Sequence, residues 1–352
     1  MGMTPALAVL SIQGVLGAYD NFRNHEFREG LPHRSSQRRE LTLHAAREAA
    51  YCILFPTMAW LEWHGWLAWL LAAIIVGEVG VTCWDFVEED RTRRLSTNER
   101  MLHTILTLNY GAFLALLFPE LIFWAQKPAN LMVVDRGAWS WLMSIYSLGV
   151  LLFGIREASA AIKLSKQATT SATTNPHKAC TSDFDLAAEL GALHSEVGLR
   201  RAEGTANVKI GSWPARLALR SIGLDMSSGL QNVSVTFEPD GDGELWHRDF
   251  STGSFTSRFE RDPCNAHGLI ELYGPFAFRY ELVASNGRIE WQLCQTHLFG
   301  ITIPRGMAPR ISALEWLDQH AQYQMTTSVT MPLLGHVISY QCALTPMATI
   351  SD

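Results

Sequence analysis

The chain has 352 residues, enough for two domains of ordinary size, and its 48% hydrophobic and 18% charged residues are averaged over two unlike halves. The net charge is −6 and no basic tract is longer than RTRR, which excludes a protein that binds nucleic acid through a basic patch. Six scattered cysteines form no CxxC pair, which argues against a disulfide framework and suits a reducing compartment.

The first half of the chain is typical of a membrane domain. Five apolar runs approach the roughly 20 residues that a helix needs to cross the hydrocarbon core. They are residues 4–22, 41–63, 66–87, 100–124 and 137–155. Most of the tryptophans precede residue 145, and tryptophan is favoured at membrane interfaces. These runs predict an all-α transmembrane helical bundle of about five spans in residues 1–160.

The charges of the loops predict the orientation of this bundle. Loops 23–40 and 88–100, with the segment after residue 155, carry nearly all the arginine and lysine of this half. The positive-inside rule makes that side cytoplasmic. The N-terminus lacks the basic region of a signal peptide, so we expect the first run to be retained. We therefore expect an integral protein of the inner (cytoplasmic) membrane, with its N-terminus outside and its C-terminal half in the cytoplasm.

The second half is typical of a soluble domain. Residues 161–183, which include a Ser/Thr-rich stretch, predict a linker, and a short helix is expected at 184–196. From Gly204 the hydrophobic period becomes two, with turn signals such as Asn286-Gly287 between the segments. Strands are predicted for VSVTFEP, ELWHRDF, SFTSRFE, LIELYGP, FAFRYELVAS, RIEWQLCQ, YQMTTSVTM and HVISYQCAL, and helices for 213–222 and 310–319. The pattern indicates a soluble cytoplasmic α+β domain over 184–352, built on a curved, mostly antiparallel sheet.

This half also resembles a known family. The segments that carry the resemblance are ELWHRDF with SFTSRFE, LIELYGPFAFRYEL, GITIPRGMAP and MPLLGHVISYQCAL. Over roughly residues 185–346 they resemble a bacterial domain of unknown function that is best known at the C-terminus of saccharopine-dehydrogenase-like proteins. The resemblance implies a shared fold and no particular mechanism. A membrane half, which we assign to no family, stands in place of the nucleotide-binding domain, and no GxGxxG follows a predicted strand, so no NAD site is expected.

Acidic residues and histidines lie at the inner ends of the first four predicted helices. Three of these helices carry a pair of such residues four positions apart, so that both side chains project from one face. Imidazole and carboxylate together suit iron, manganese or zinc. The sequence therefore predicts a site for a divalent metal or a di-iron pair. The predicted ligands are His44, Glu48, Asp85, Glu89, Glu99, His103 and, near the end of the first helix, His25.

A structural interpretation of these charges stays open. Charged residues at helix ends also snorkel to the interface, cap helices and anchor at headgroups. Arginines such as Arg47 and Arg93 are available to pair with the acids. The spacing of four differs from the spacing of three in di-iron bundles, and the histidine boxes of membrane desaturases are absent. A transporter is a further alternative, although only Glu78 lies near the middle of a predicted span.

A second candidate site lies in the predicted sheet. Alternation places Trp246, Arg248 and Phe250 on one face of a strand, and Phe255 and Ser257 on one face of the next. On the concave side of the sheet these residues form an aromatic pocket with one cation, which suits an amphipathic anion such as a lipid or fatty acid. The alternative is a core stripe in which the arginine is satisfied by its neighbours.

The two candidate sites together predict a function. We expect an integral-membrane metal-dependent enzyme of the oxidase, hydroxylase or desaturase type, which acts on a lipid or hydrophobic substrate held by the cytoplasmic domain. Its partners are membrane lipid and that substrate, with no nucleic acid. The alternative is a non-enzymatic membrane protein whose soluble domain binds lipid and whose polar cluster is structural.

Overall fold

The computed structural model describes residues 2–93, 95–167, 175–182, 184, 190, 199–320 and 322–347. The chain divides into two compact units, of which the first comprises 1–22 and 36–165 and the second 23–35 and 166–352. The segment 23–35, which the sequence places in a loop between two membrane runs, therefore folds with the second unit. The sequence does not predict this, because the polarity of a loop does not specify the surface on which it packs.

The first unit is helical. Between its first two helices lie a π-helix (Asn21–Arg28) and two 3₁₀ turns (Leu31–His33 and Ser35–Gln37). Two short strands, β1 (Leu61–Trp63) and β2 (Leu131–Val133), pair in antiparallel fashion. The helices are α1 (Thr4–Asp20), α2 (Arg38–Trp60), α3 (Trp66–Thr92), α4 (Thr97–Ala125) and α5 (Ala138–Gln167).

Three of these helices are long and apolar enough to cross a membrane, namely α3, α4 and α5. The expectation of about five spans is thus met in part. Helix α1 has only 17 residues, and the first half of α2 carries Glu40, Arg47 and Glu48. Both features lower the apolar length that a helix offers to the hydrocarbon core.

The core of the first unit is built by apolar side chains of all five helices, with the largest share from α1, α2 and α4. Leu7, Leu10, Met58, Phe113 and Leu117 are fully buried there. Apolar side chains also cover much of the outer surface of the helices. The exposed ones include Trp66, Val76, Trp84, Leu108, Phe118 and Trp141. A helix that is apolar on both its inner and its outer face is typical of membrane proteins.

The second unit is an antiparallel β-barrel. Its strands are β3 (Arg200–Ile210), β4 (Gly229–Asp240), β5 (Gly243–Phe250), β6 (Gly253–Arg261), β7 (Gly268–Tyr273), β8 (Phe276–Ser285), β9 (Arg288–Leu298), β10 (Ile301–Thr302), β11 (Arg310–Leu317), β12 (Tyr323–Met331) and β13 (Gly335–Pro346). The sheet order is β10-β9-β11-β12-β13-β3-β4-β5-β6-β7-β8, and the pairing of β8 with β9 closes it. Among the described residues of this unit, two helices accompany the barrel, α6 (Pro176–Thr181) and α7 (Trp213–Ser221). Closure removes the open edges that a curved sheet would expose.

Most of the predicted elements of this half are confirmed. The eight predicted strands correspond to β4 to β9, β12 and β13, and the predicted helix at 213–222 is α7. The helix predicted at 310–319 is wrong, since β11 lies there. Its residues favour a helix, but β11 is hydrogen-bonded to β12 on one side and to β9 on the other. This pairing outweighs a weak local preference.

The predicted linker and the short helix after it are described only in part. Within 161–183, helix α5 continues to Gln167, and α6 follows with Asn175 as its N-cap. The helix expected at 184–196 lies almost entirely outside the described residues. The domain boundaries at 160 and 184 stay a prediction.

The segment 23–35 is anchored to the barrel by Phe27. This side chain is buried, and its ring lies 5.4 Å from that of Tyr273 and 6.3 Å from that of Phe276. Gly274, between those two residues, has a φ of +53°, and a Cβ there would lie 2.8 Å from Phe27 Cδ1. The β7–β8 turn therefore needs glycine both for its backbone and for the approach of Phe27.

The cysteines of the barrel unit differ in accessibility, which gives a test of this fold. Burial raises the pKa of the Cys180 thiol to about 11 and that of Cys342 to about 12. Cys264 and Cys294 are exposed. Because the thiolate is the reactive form, we expect a brief maleimide treatment at pH 7 to label Cys264 and Cys294 and to spare Cys180 and Cys342 until the protein is denatured. Mass spectrometry of the labelled peptides measures this, and equal labelling of all four would contradict the barrel.

Candidate functional site

Side chains of α2 and α3 meet in a buried cluster. Glu40 and His44 lie one helical turn apart on α2, and Glu89 lies near the end of α3. One ligand atom of each residue lies within 4.8 Å of those of the other two, and all three residues are buried. Two carboxylates and an imidazole form a donor set that suits a divalent transition metal. We call these three residues the Glu–His–Glu cluster.

The described residues satisfy the carboxylate of Glu89 poorly. It is 1% exposed, and neither of its carboxylate oxygens accepts a hydrogen bond from the residues that the structure describes. Arg93 Nη2 lies 3.6 Å from Oε1, and His103 Nδ1 lies 3.5 Å from Oε2. Both distances exceed the usual hydrogen-bond length of about 2.7–3.2 Å. A buried carboxylate without hydrogen bonds is costly unless it is protonated or paired with a cation.

Arg93 supplies the cluster with a positive charge. Its side chain is buried, and Nη2 lies 2.9 Å from Glu40 Oε1 and 2.8 Å from Glu99 Oε1. Glu99 is held from the other side by the N-cap of α4, where its backbone N–H donates to Ser96 Oγ. Glu99 is thus bound to an arginine in this structure, as the structural interpretation of the sequence expects.

His44 faces carboxylates on both sides of its ring. Its Nε2 lies 3.3 Å from Asp85 Oδ2, and its Nδ1 lies 3.8 Å from Glu157 Oε1. Asp85 also accepts a 2.6 Å hydrogen bond from Arg47 Nη1. Asp85 is therefore held by Arg47 and lies beside His44, and its role as a metal ligand stays a prediction.

His103 is fixed from two sides. Its Nε2 lies 3.0 Å from Asp20 Oδ2 at the end of α1, and its ring stacks on Phe86 with centroids 5.4 Å apart. This arrangement directs Nδ1 at Glu89 Oε2. Contacts between helices thus bring His103 of α4 to Glu89 of α3.

Two further predicted ligands are not members of the Glu–His–Glu cluster. Glu48 accepts a 2.8 Å hydrogen bond from Asn21 Nδ2 and lies against Gly154 of α5. His25 is buried in the π-helix and belongs to the segment that folds with the second unit. Their roles as metal ligands stay predictions.

The five predicted pocket residues meet inside the barrel. Trp246 pairs with Ser257 and Arg248 with Phe255 across β5 and β6. Arg248 is buried, and its Nη1 donates to Ser257 Oγ at 2.7 Å. Its guanidinium lies about 5 Å from the ring centroids of Trp246 and Phe255, within reach of a cation–π interaction. The ring of Phe250 stacks on that of Phe255.

A cavity adjoins this arginine. Its volume is about 20 Å³, and its walls include Val233, Arg248, Met325, Tyr340 and Leu344. Such a volume holds about one water molecule. An acyl chain would fit only if the surrounding side chains moved.

A second polar group inside the barrel was not predicted from the sequence. Glu244 accepts hydrogen bonds from Trp246 Nε1 at 2.7 Å and from Asn175 Nδ2 at 2.8 Å, and it pairs closely with Arg200. Burial raises the pKa of the Glu244 carboxyl, although the Arg200 guanidinium acts in the opposite direction. The N-cap residue of α6 thereby ties this helix to the barrel interior.

The comparison with protein families concerns the barrel. Residues 186–344 match the model of a family described as a domain of unknown function, DUF4166. A DUF4166 domain is present. This agrees with the predicted C-terminal domain of unknown function. A comparison with curated proteins returned no match.

Three residues of the site were not among the predicted ligands. Glu40 precedes the second apolar run, but its spacing of four from His44 was a usable signal. Arg93 lies four residues after Glu89, but its closer partners Glu40 and Glu99 lie on other helices. Asp20 carries no such signal, because its partner His103 lies on α4. In the DUF4166 domain, the sequence analysis missed Glu244, because a charged residue at the start of a strand is normally exposed.

Proposed function

We propose that this protein is an integral-membrane metal-dependent enzyme in which the Glu–His–Glu cluster binds a divalent metal. The observation that carries the proposal is Glu89, a fully buried carboxylate without a described hydrogen bond, beside an imidazole and a second carboxylate. Iron, manganese and zinc all accept this donor set. A site that offers three protein ligands leaves a position for water or substrate, which is typical of catalytic rather than structural metals.

The chemistry follows from this donor set. Nitrogen and oxygen ligands suit an oxidase, hydroxylase or desaturase that acts on a lipid or other hydrophobic substrate. In a hydroxylation, O₂, two electrons from a separate reductase and two protons convert a C–H bond into C–OH and release water.

We propose the topology as part of this function. Five spans, with the N-terminus outside, place the metal cluster at the cytoplasmic ends of the helices in the inner membrane. The barrel then acts as a cytoplasmic substrate-binding domain, with Arg248 as the cation for an acidic group. We also propose that this domain is related to the one at the C-terminus of saccharopine-dehydrogenase-like proteins.

Metal analysis of the full-length protein in detergent tests the proposal. After loading with Fe²⁺, Mn²⁺ or Zn²⁺ and desalting, we expect at least about one metal per chain, and less than about 0.2 in a His44→Ala variant. His64→Ala is the matched control, since His64 is also buried but pairs with Glu62 beside the β1–β2 strands. Wild-type protein without metal, or equal loading of the His44 variant, would refute the metal site.

One observation favours a second candidate function. Arg93 already contacts Glu40 and Glu99, and a buried ion-pair network of this kind can be purely structural. In this alternative the protein is a non-enzymatic membrane protein whose barrel binds lipid. The metal analysis separates the two candidates, because a structural network retains no metal after desalting.

A further inference from the structure

A metal bound by the Glu–His–Glu cluster does not explain the position of His103. Its Nδ1 lies 3.5 Å from Glu89 Oε2, which is too long for a good hydrogen bond. Two ligand atoms on one tetrahedral metal, each at about 2.1 Å, lie about 3.4 Å apart. The separation therefore matches two ligands of a common metal better than a donor and its acceptor.

The ring of His103 is held in the orientation that this requires. Asp20 lies 3.0 Å from Nε2, on the side away from Glu89, and Phe86 stacks on the ring with an interplanar angle of 18°. A carboxylate that fixes the far nitrogen of a metal-binding histidine is a common second partner of such ligands. Asp20 is therefore suited to present the unprotonated Nδ1 towards Glu89.

Glu89 lies between two sets of ligands. Glu89 is a member of the Glu–His–Glu cluster, and its Oε2 also lies 3.5 Å from His103 Nδ1. We propose that Glu89 is the bridging carboxylate of a two-metal centre, with Glu40 and His44 on one metal, His103 on the other, and Asp20 as the positioning residue of His103. This inference rests on the proposed function, since it requires the first metal. In two-metal sites the ions lie about 3.5–4 Å apart, which one bridging carboxylate spans.

Manganese loading of the full-length protein in detergent tests this inference. We expect about two Mn²⁺ per chain and an electron paramagnetic resonance spectrum of a coupled pair. In His103→Ala we expect about one Mn²⁺ and the spectrum of an isolated ion. Asp20→Asn keeps the shape of the side chain, so we expect two metals with the second bound about 10–100-fold more weakly. His64→Ala again serves as the matched control.

The possible failures are distinguishable. Wild-type protein without Mn²⁺ would refute the proposed function as a whole. One uncoupled ion that is lost in His44→Ala but unchanged in His103→Ala and Asp20→Asn would overturn the two-metal centre and leave the first metal site intact. If His103→Ala fails to fold, as judged by gel filtration and circular dichroism, the Asp20→Asn titration decides alone.

Discussion

An Arg93→Ala variant should lower the free energy of unfolding of the helical unit by about 3–5 kcal/mol in metal-free protein. The guanidinium contacts Glu40 and Glu99 at 2.9 and 2.8 Å and is the described cation nearest to Glu89 Oε1. Its removal leaves buried carboxylates without that partner, and an uncompensated buried charge is among the costliest defects of a folded protein. The ion pair is worth little relative to an apolar replacement, but breaking it from one side is expensive.

Arg91→Ala is the matched control for this experiment. Arg91 lies two residues earlier on α3 and is exposed, so its loss should change the free energy of unfolding by less than about 0.5 kcal/mol. Unfolding of the detergent-purified protein by sodium dodecyl sulfate, followed by circular dichroism, measures both variants. Equal stability of the two would show that the carboxylates do not depend on Arg93. Recovery of the Arg93→Ala variant on addition of Mn²⁺ would support a metal at the same carboxylates.

A Trp246→Ala variant should destabilise the barrel by about 3–5 kcal/mol. Trp246 is 2% exposed, and its ring lies 4.4 Å from that of Phe259 and 4.9 Å from that of Phe237. Its Nε1–H donates to the buried Glu244 carboxylate. The substitution therefore leaves a cavity beside an existing one and removes a hydrogen bond from a buried charge, and both effects act in the same direction.

Trp213→Ala is the control, because Trp213 is 76% exposed at the start of α7. Hydrogen exchange of the full-length protein, resolved by mass spectrometry, reports on the barrel separately from the helices. Peptides from β4 and β5 should exchange roughly 10²–10³ times faster in Trp246→Ala and at the wild-type rate in Trp213→Ala. Unchanged protection in the first variant would mean that Trp246 is not a central core residue.

The errors of sequence-based prediction have physical causes that particular residues illustrate. The segment 310–319 contains alanine, leucine and glutamate, which favour a helix, yet Glu315 accepts a hydrogen bond from Trp291 Nε1 and lies on a strand paired on both sides. Local propensity carries no information about such partners. The same limit explains why the sequence did not predict the partners of Arg93, since its three carboxylate partners come from three helices.

Alternation and apolar length alone determined much of this protein: the long apolar helices, the run of antiparallel strands, and the inward side of Trp246 and Arg248. These features repeat along the chain, so local order reveals them. Tertiary structure decided the closure of the barrel by β8 and β9, the packing of segment 23–35 on that barrel, and the partners of Glu89 and His103. Those depend on contacts between residues far apart in sequence, because the hydrophobic pattern specifies which face is buried and not which side chain meets it there.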